Sequence, residues 1–261
     1  MSELFSIAGK TALVTGGSRG IGEMIARGFV EAGANVYISS RKADACERLA
    51  AELSEVGRCT ALPADLSTQD GCRDLAERLT EREPALHVLV NNAGATWGAP
   101  LEEYDEKAWD RVLDLNVKGV FSLTRFLVPS LRAAATEEDP ARVIVIGSID
   151  GIHVPGMETY AYSASKAAVH QLTRHLARRL APDITVNAIA PGPFPSKMMA
   201  STLAEMRDEI IESAPLRRIG RPDDMAGPSI FLASRAGAYL TGAVIPVDGG
   251  IATTASGSDH W

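Results

Sequence analysis

The sequence predicts a doubly wound α/β sandwich, a seven-stranded parallel sheet with helices on both faces. Three observations carry that prediction. Short β-branched runs alternate with helix-period segments along almost the whole chain. A glycine-rich turn falls directly between the first run and the first helical segment. No linker, internal repeat or shift in composition divides the 261 residues, so residues 1–261 are read as a single domain.

Strands are expected at residues 10–15, 35–39, 59–63, 86–90, 142–147, 184–189 and 244–247. Helices are expected at 21–31, 43–56, 69–81, 108–131 and 161–180, where apolar residues recur three and four apart. Residues 191–215 break the rhythm with an irregular stretch and a short helical pattern, long enough to form a lid. Residues 253–261 are small and polar apart from Trp261 and are read as a mobile tail.

Composition excludes several classes. A chain that is 46% hydrophobic and 23% charged has too much apolar material to stay disordered. Its net charge of −7 is opposite to the footprint a nucleic-acid surface requires. No uncharged stretch approaches the roughly 20 apolar residues of a membrane span. The segment from Met1 to Lys10 has neither the basic nor the apolar region of a secretory leader. Cys46, Cys59 and Cys72 are too widely spaced for a CxxC motif, so they are expected to be reduced structural thiols in a cytoplasmic protein. His153 has no clustered histidine near it and is not expected to bind a metal.

The run Thr15-Gly16-Gly17-Ser18-Arg19-Gly20-Ile21-Gly22 joins the first strand to the first helix. There Gly16 permits a tight turn, Gly20 lets backbone approach a pyrophosphate, and Gly22 lets the helix close on the strand. A site for NAD usually places a carboxylate at the end of the second strand to take the ribose 2′-hydroxyl. Here that end reads Ser39-Ser40-Arg41, and Arg19 stands in the glycine loop. Two guanidiniums and no carboxylate suit a 2′-phosphate, so the expected cofactor is NADP(H).

Tyr162 and Lys166 are four residues apart on one helix and share a face. The ammonium is expected to draw the tyrosine's pKa down towards the working range, making Tyr162 the acid/base. Tyr160 lies about 240° around the helix from Lys166 and is read as a substrate-pocket or packing residue. Gly147-Ser148-Ile149-Asp150 follows the fifth strand at the ligand-binding edge. Ser148 is expected to hold the substrate oxygen, since an anionic Asp150 would repel the charge developing there. Asn116 falls inside the long helix expected at 108–131, an unfavourable place for asparagine, and is read as an amide that holds a water for proton relay.

Thr15 to Gly22, Asn91-Asn92-Ala93-Gly94, Asn116, Ser148, Tyr162, Lys166 and Pro191-Gly192 together resemble the short-chain dehydrogenase/reductase family, single-domain type, with its Asn-Ser-Tyr-Lys tetrad. Residues 187–196 are most similar to the bacterial 3-oxoacyl reductases, the rhamnolipid-biosynthesis type included. The resemblance implies a Rossmann-like fold, a homotetramer or homodimer, and catalysis by Asn116, Ser148, Tyr162 and Lys166. It implies that Ser18, Ile21, Ser40, Leu66, Asn92, Ala93 and Gly94 join the glycine loop in holding cofactor, together with Tyr162 and Lys166. Asp65 falls to the adenine, and Pro191, Gly192 and Ser196 to the nicotinamide side. Relatives that dock acyl carrier protein carry basic residues before the fifth and sixth strands. Here those segments read Glu137-Glu138-Asp139 and Pro182-Asp183, so an acidic carrier is not the expected partner.

Trp97, Ile149, His153, Met157, Tyr160, Phe194, Met198, Met199 and Leu203 are expected to wall the pocket. So apolar a wall suits a 3-oxoacyl thioester or another apolar ketone, reduced to a secondary alcohol by hydride from NADPH. Two alternatives stand beside this one: an alcohol, polyol or steroid-type dehydrogenase running oxidatively, and a non-catalytic NADP-binding regulator. The second would have no use for an activated phenol.

Overall fold

The computed structural model describes residues 2–254. Most of the tail expected at 253–261 therefore lies outside the described residues. The chain runs β1 (Thr11–Thr15), α1 (Gly20–Glu31), β2 (Asn35–Ser39), α2 (Ala43–Leu53), β3 (Arg58–Ala61), α3 (Gln69–Thr80) and β4 (Val88–Asn91). It continues through α4 (Glu106–Leu113), a π-helical segment (Asp114–Gly119), α5 (Val120–Ala134), β5 (Ala141–Ile146), α6 (Tyr160–Leu180) and β6 (Ile184–Pro191). After that come α7 (Ala200–Ser213), α8 (Pro222–Ala233), β7 (Val244–Val247) and α9 (Ile251–Thr254).

All seven strands pair in parallel in one sheet, in the order β3-β2-β1-β4-β5-β6-β7. Successive residues of β1 point to opposite faces, and this alternation feeds two cores. Val14 joins Ile25 and Phe29 of α1, Leu53 of α2 and Met225 of α8 on one face. Leu13 joins Leu75 of α3, Leu123 and Leu127 of α5 and Val169 of α6 on the other. The chain leaves β1 towards β2 and later resumes on its other side with β4. The reversal opens a crevice beyond the carboxyl ends of β1 and β4, where ligands of doubly wound sheets bind.

Two stretches depart from expectation. The helix expected at 108–131 is α4 and α5 joined by the π segment, with Asn116 inside it. The helix α8 lies outside the expected helices, and it contains Pro222, Gly227 and Pro228. Pro222 opens the helix, where no N–H is missed. A Cβ on Gly28 of α1 would come 2.5 Å from that of Ala226, so these two helices approach closely.

At the amino edge of the sheet, Arg142 is 1% exposed and donates to Leu232 O (3.1 Å), Ser234 O (2.9 Å) and Asp139 Oδ1 (2.7 Å), and also to Pro140 O. Lys10 Nζ pairs with the other Asp139 oxygen at 2.7 Å and donates to Ala233 O at 3.0 Å. Asp183 pairs with Arg132 at 3.2 Å. Of the acids that the sequence placed before β5 and β6, Asp139 and Asp183 are thus paired with cations. They also lie a strand's length, about 20 Å, from the crevice.

Candidate active site

The glycine loop fits a bound pyrophosphate. Gly16 (φ 63°) and Gly20 (φ 58°) occupy the left-handed region, and a Cβ on Gly22 would overlap the Gly16 carbonyl. Thr68 caps α3 by accepting from Gly71 N at 3.1 Å, and Asp105 caps α4 by accepting from Ala108 N at 2.8 Å. Arg19, the cap of α1, makes no such bond, which leaves the first N–H groups of α1 available to an anion. Thr15 Oγ1 donates to Val90 O (3.2 Å) and accepts from Asn92 N (2.9 Å) and Ala93 N (3.0 Å). Asn92 Nδ2 returns bonds to Thr15 O (2.8 Å) and Gly16 O (3.2 Å), so the two lips of the crevice are tied together.

At the end of β2, Ser40 Oγ donates to Lys42 O at 3.2 Å, while Arg19 and Arg41 are exposed. Burial pushes the Asp65 carboxyl up, but bonds from Ser67 N and Oγ, with the Arg41 charge, outweigh it and hold Asp65 below its ordinary value. Ser40, Arg41 and Asp65 therefore form one corner. Ser18 and Ile21 are half-buried in the loop and the first turn of α1, and Leu66 is buried in the second core.

At the carboxyl edge of β5, Ser148 is 7% exposed and its Oγ accepts from Asp150 N at 3.2 Å. Lys166, 6% exposed, donates from Nζ to Ile146 O at 2.9 Å and stands 5.3 Å from the centre of the Tyr162 ring. Burial raises the Tyr162 phenol to about 12; the Ser148 hydroxyl opposes the rise and the Asp150 charge adds to it. Burial lowers Lys166 to about 8, against the Asp150 charge. The expected lowering of the tyrosine by lysine is thus absent: the ammonium is bonded to the strand, and desolvation dominates the phenol. At neutral pH the site therefore holds a protonated phenol beside the Ser148 hydroxyl.

Asn116 Oδ1 accepts from Ala95 N (2.8 Å), and Nδ2 donates to Ala95 O (2.9 Å) and Ser165 Oγ (2.9 Å). Ser165 Oγ in turn donates to Tyr162 O at 2.7 Å. Both amide hydrogens are spent on the protein, so a water at Asn116 would be held by its backbone or by the remaining Oδ1 lone pair. The π turn brings this about by rotating Asn116 inward between β4 and α6, and such turns recur at functional sites.

A family model described as enoyl-(acyl carrier protein) reductase matches residues 16–252. The rhamnolipids biosynthesis 3-oxoacyl-[acyl-carrier-protein] reductase of Pseudomonas aeruginosa is 53% identical over 96% of this chain and 99% of that protein. The chain belongs to the short-chain dehydrogenase/reductase family. The 2-dehydro-3-deoxy-D-gluconate 5-dehydrogenase of Pseudoalteromonas atlantica is 36% identical over 96% of this chain and 98% of that one. Among solved structures, the Pseudomonas aeruginosa RhlG/NADP active-site complex superposes with a TM-score of 0.93 at 52% identity, covering 97% of this chain and 100% of that chain.

Around this short-chain dehydrogenase/reductase site the expected pocket residues divide. Ile149 is buried beside Ser148, and Met157 and Met198 are each more than two-fifths exposed at the rim, with Thr202 Oγ1 3.9 Å from Met157 Sδ. Met199 and Leu203 are half-buried at the start of α7, where Leu203 N donates to Met199 O. Trp97 lies 39% exposed with the Arg111 guanidinium 5.2 Å over its ring. His153 is half-buried with Nδ1 against Val154 O. Phe194 is a correction: it is 2% exposed in the first core, packed so closely on Gly220 that a Cβ there would overlap its ring. Tyr160 donates to Glu158 Oε1 at 3.0 Å, with its ring edge-on to Tyr104. Pro191 ends β6 and Gly192 N donates to Val247 O at 3.0 Å. Ser196 meets Gly20 across the crevice, where a Cβ on the glycine would lie 3.2 Å from its own. Gly94 lies between Asn116 and Lys166: a Cβ there would be 3.5 Å from Asn116 Oδ1 and 3.9 Å from Lys166 Nζ.

Tyr104 was not anticipated. Its hydroxyl donates to Trp97 O (3.1 Å) and accepts from Ala161 N (3.2 Å), tying the rim to the first turn of α6 beside Tyr162. Nothing in local periodicity marks it, because its role lies in a contact 57 residues away.

Proposed function

We propose that this chain is an NADPH-dependent reductase that converts an apolar or 3-oxoacyl-type ketone to a secondary alcohol. The observation that carries this is the meeting of Ser148, Tyr162 and Lys166 at the carboxyl edge of β5. When bound, the nicotinamide supplies the hydride. Ser148 holds the carbonyl oxygen, and Tyr162 gives it a proton as charge develops. Lys166 keeps its remaining hydrogens for the crevice side, and Asn116 holds the loop after β4 against α6. Gly16, Ser18, Gly20, Ile21, Gly22, Asn92, Ala93, Gly94, Pro191, Gly192 and Ser196 would hold the cofactor, with Ser40, Asp65 and Leu66 at its adenosine end. Similarity to an NADP-bound structure supports this choice of cofactor.

Arg19 and Arg41 would take the 2′-phosphate. Replacing Arg41 by alanine is expected to weaken NADPH about tenfold or more and leave NADH unchanged, since charge-assisted bonds to phosphate are lost only with the former. Fluorescence titration with both cofactors checks this; equal losses would remove the 2′-phosphate assignment.

Reduction consumes the phenolic proton, so its rate is expected to fall as pH rises towards about 12, where Tyr162 loses that proton. Oxidation of the alcohol product needs the deprotonated phenol and should rise over the same span. Steady-state rates in both directions measure this, and profiles rising together would contradict the role of Tyr162. The alternative, a polyol-type dehydrogenase working oxidatively, draws support from the similarity to the gluconate dehydrogenase. A panel of ketones and alcohols followed at the NADPH absorbance band separates the two and tests the proposal as a whole.

The substrate is proposed to arrive without an acidic carrier. Support comes from the rim itself, where Glu102, Glu103, Glu106, Glu205, Asp208, Glu209 and Glu212 are all exposed. Residues 191–215 are proposed as the lid, since α7 contains no buried residue. The rest of the proposal is a single catalytic domain in the cytoplasm, assembled as a homotetramer or homodimer. No helix among the described residues is long and apolar enough to cross a membrane. Phe121, 44% exposed on α5, suits a subunit contact.

A further inference from the structure

Tyr162, Lys166 and His170 follow one another at four-residue spacing on one face of α6. The chemistry uses the first two and leaves the third. His170 is 4% exposed, and its Nε2 is buried with no hydrogen-bond partner. The ring is clamped by the two glycines that bracket Ser148. A Cβ on Gly147 would overlap Nε2 and lie 2.8 Å from Cδ2, while a Cβ on Gly151 would lie 2.6 Å from the Lys166 carbonyl carbon of α6 and 2.8 Å from His170 Cε1. Gly147 N also donates to Ile189 O at 2.7 Å, so the backbone entering Ser148 is in contact with both β6 and the imidazole.

We propose that His170 is a positioning residue: its flat imidazole is the wedge on which the Gly147 to Gly151 turn rests, and it sets the place of the Ser148 hydroxyl beside Tyr162. This rests on the assignment of Ser148 and Tyr162 made above. The ring lies directly against the turn because neither glycine carries a Cβ to hold it off, so removing the ring takes away the turn's contact on that side. Burial lowers His170 to about 4; a bond with the Gly151 backbone opposes this, and the charges of Lys166 and Arg174 reinforce it. The ring is therefore neutral while the enzyme works and acts by its shape.

The test is a double-mutant cycle of His170→Ala and Ser148→Ala, with kcat and KM for a ketone and the NADPH dissociation constant measured on each full-length protein. His170→Ala is expected to lower kcat about tenfold to a hundredfold, the cost of a small misplacement of a reacting group, with NADPH affinity unchanged. In the Ser148→Ala background the same change is expected to have no further effect, because the residue acts only through that hydroxyl. A wild-type kcat in the single variant, or independent multiplication of the two losses, would overturn the proposal. If Ser148→Ala alone kept full activity, the site assignment would fall instead. Should His170→Ala not fold, Gly147→Ala displaces the same turn from the other side and enters the cycle in its place.

Discussion

Tyr162→Phe is expected to reduce ketone turnover about a thousandfold while NADPH binds as before, because the substitution removes one proton donor and keeps the ring. Single-turnover oxidation of bound NADPH, with a separate binding titration, checks both halves. The partners of Tyr160 make it a poor substitute: its hydroxyl is held by Glu158 and its ring by Tyr104. Turnover within tenfold of the parent would remove the acid role from Tyr162 and return Tyr160 to consideration. Loss of NADPH binding along with turnover would mean that the phenol serves the cofactor more than the substrate.

Arg142→Ala is expected to cost about 3 kcal/mol or more of folding stability. The guanidinium is the shared donor for the carbonyls of Pro140, Leu232 and Ser234, and removing it strands those acceptors where water cannot replace it. Asp139 keeps Lys10, which limits the loss. Urea denaturation followed by far-ultraviolet circular dichroism gives the number. A loss below about 1 kcal/mol would show that the cluster is dispensable. Because the cluster sits at the opposite edge of the sheet from Ser148, NADPH affinity of the folded variant should stay at the parent value.

Much of this architecture was legible because parallel strands buried on both faces are short apolar runs that stand out between amphipathic helices. The runs that became β1 and β5 are examples, each buried throughout. Gly22 could be assigned from its position alone, and the structure gives the overlap that makes it obligatory. The breaker rules concealed α8, since a proline at a first helical position and another within the helix look like a loop until tertiary packing on α1 outweighs them. The π segment was invisible because one inserted residue leaves the apolar pattern on either side intact. Phe194 was misplaced because aromatic character does not say whether a side chain faces the crevice or the core beneath it. The direction of the Tyr162 shift depends on desolvation, which spacing along a helix does not encode.

Residues 92–95, the strap after β4, are fastened at both ends. Asn92 grips the glycine loop through Thr15 and Gly16, and Ala95 reaches α6 through Asn116 and Ser165. Cofactor occupancy and the stance of Tyr162 therefore share one mechanical element, and thermodynamic linkage makes the influence reciprocal: whatever NADPH does for ketone affinity, the ketone does for NADPH. A change that loosens the strap is expected to cost both equilibria together, whereas changes outside it, at Arg41 or at the Tyr162 hydroxyl, act on one alone.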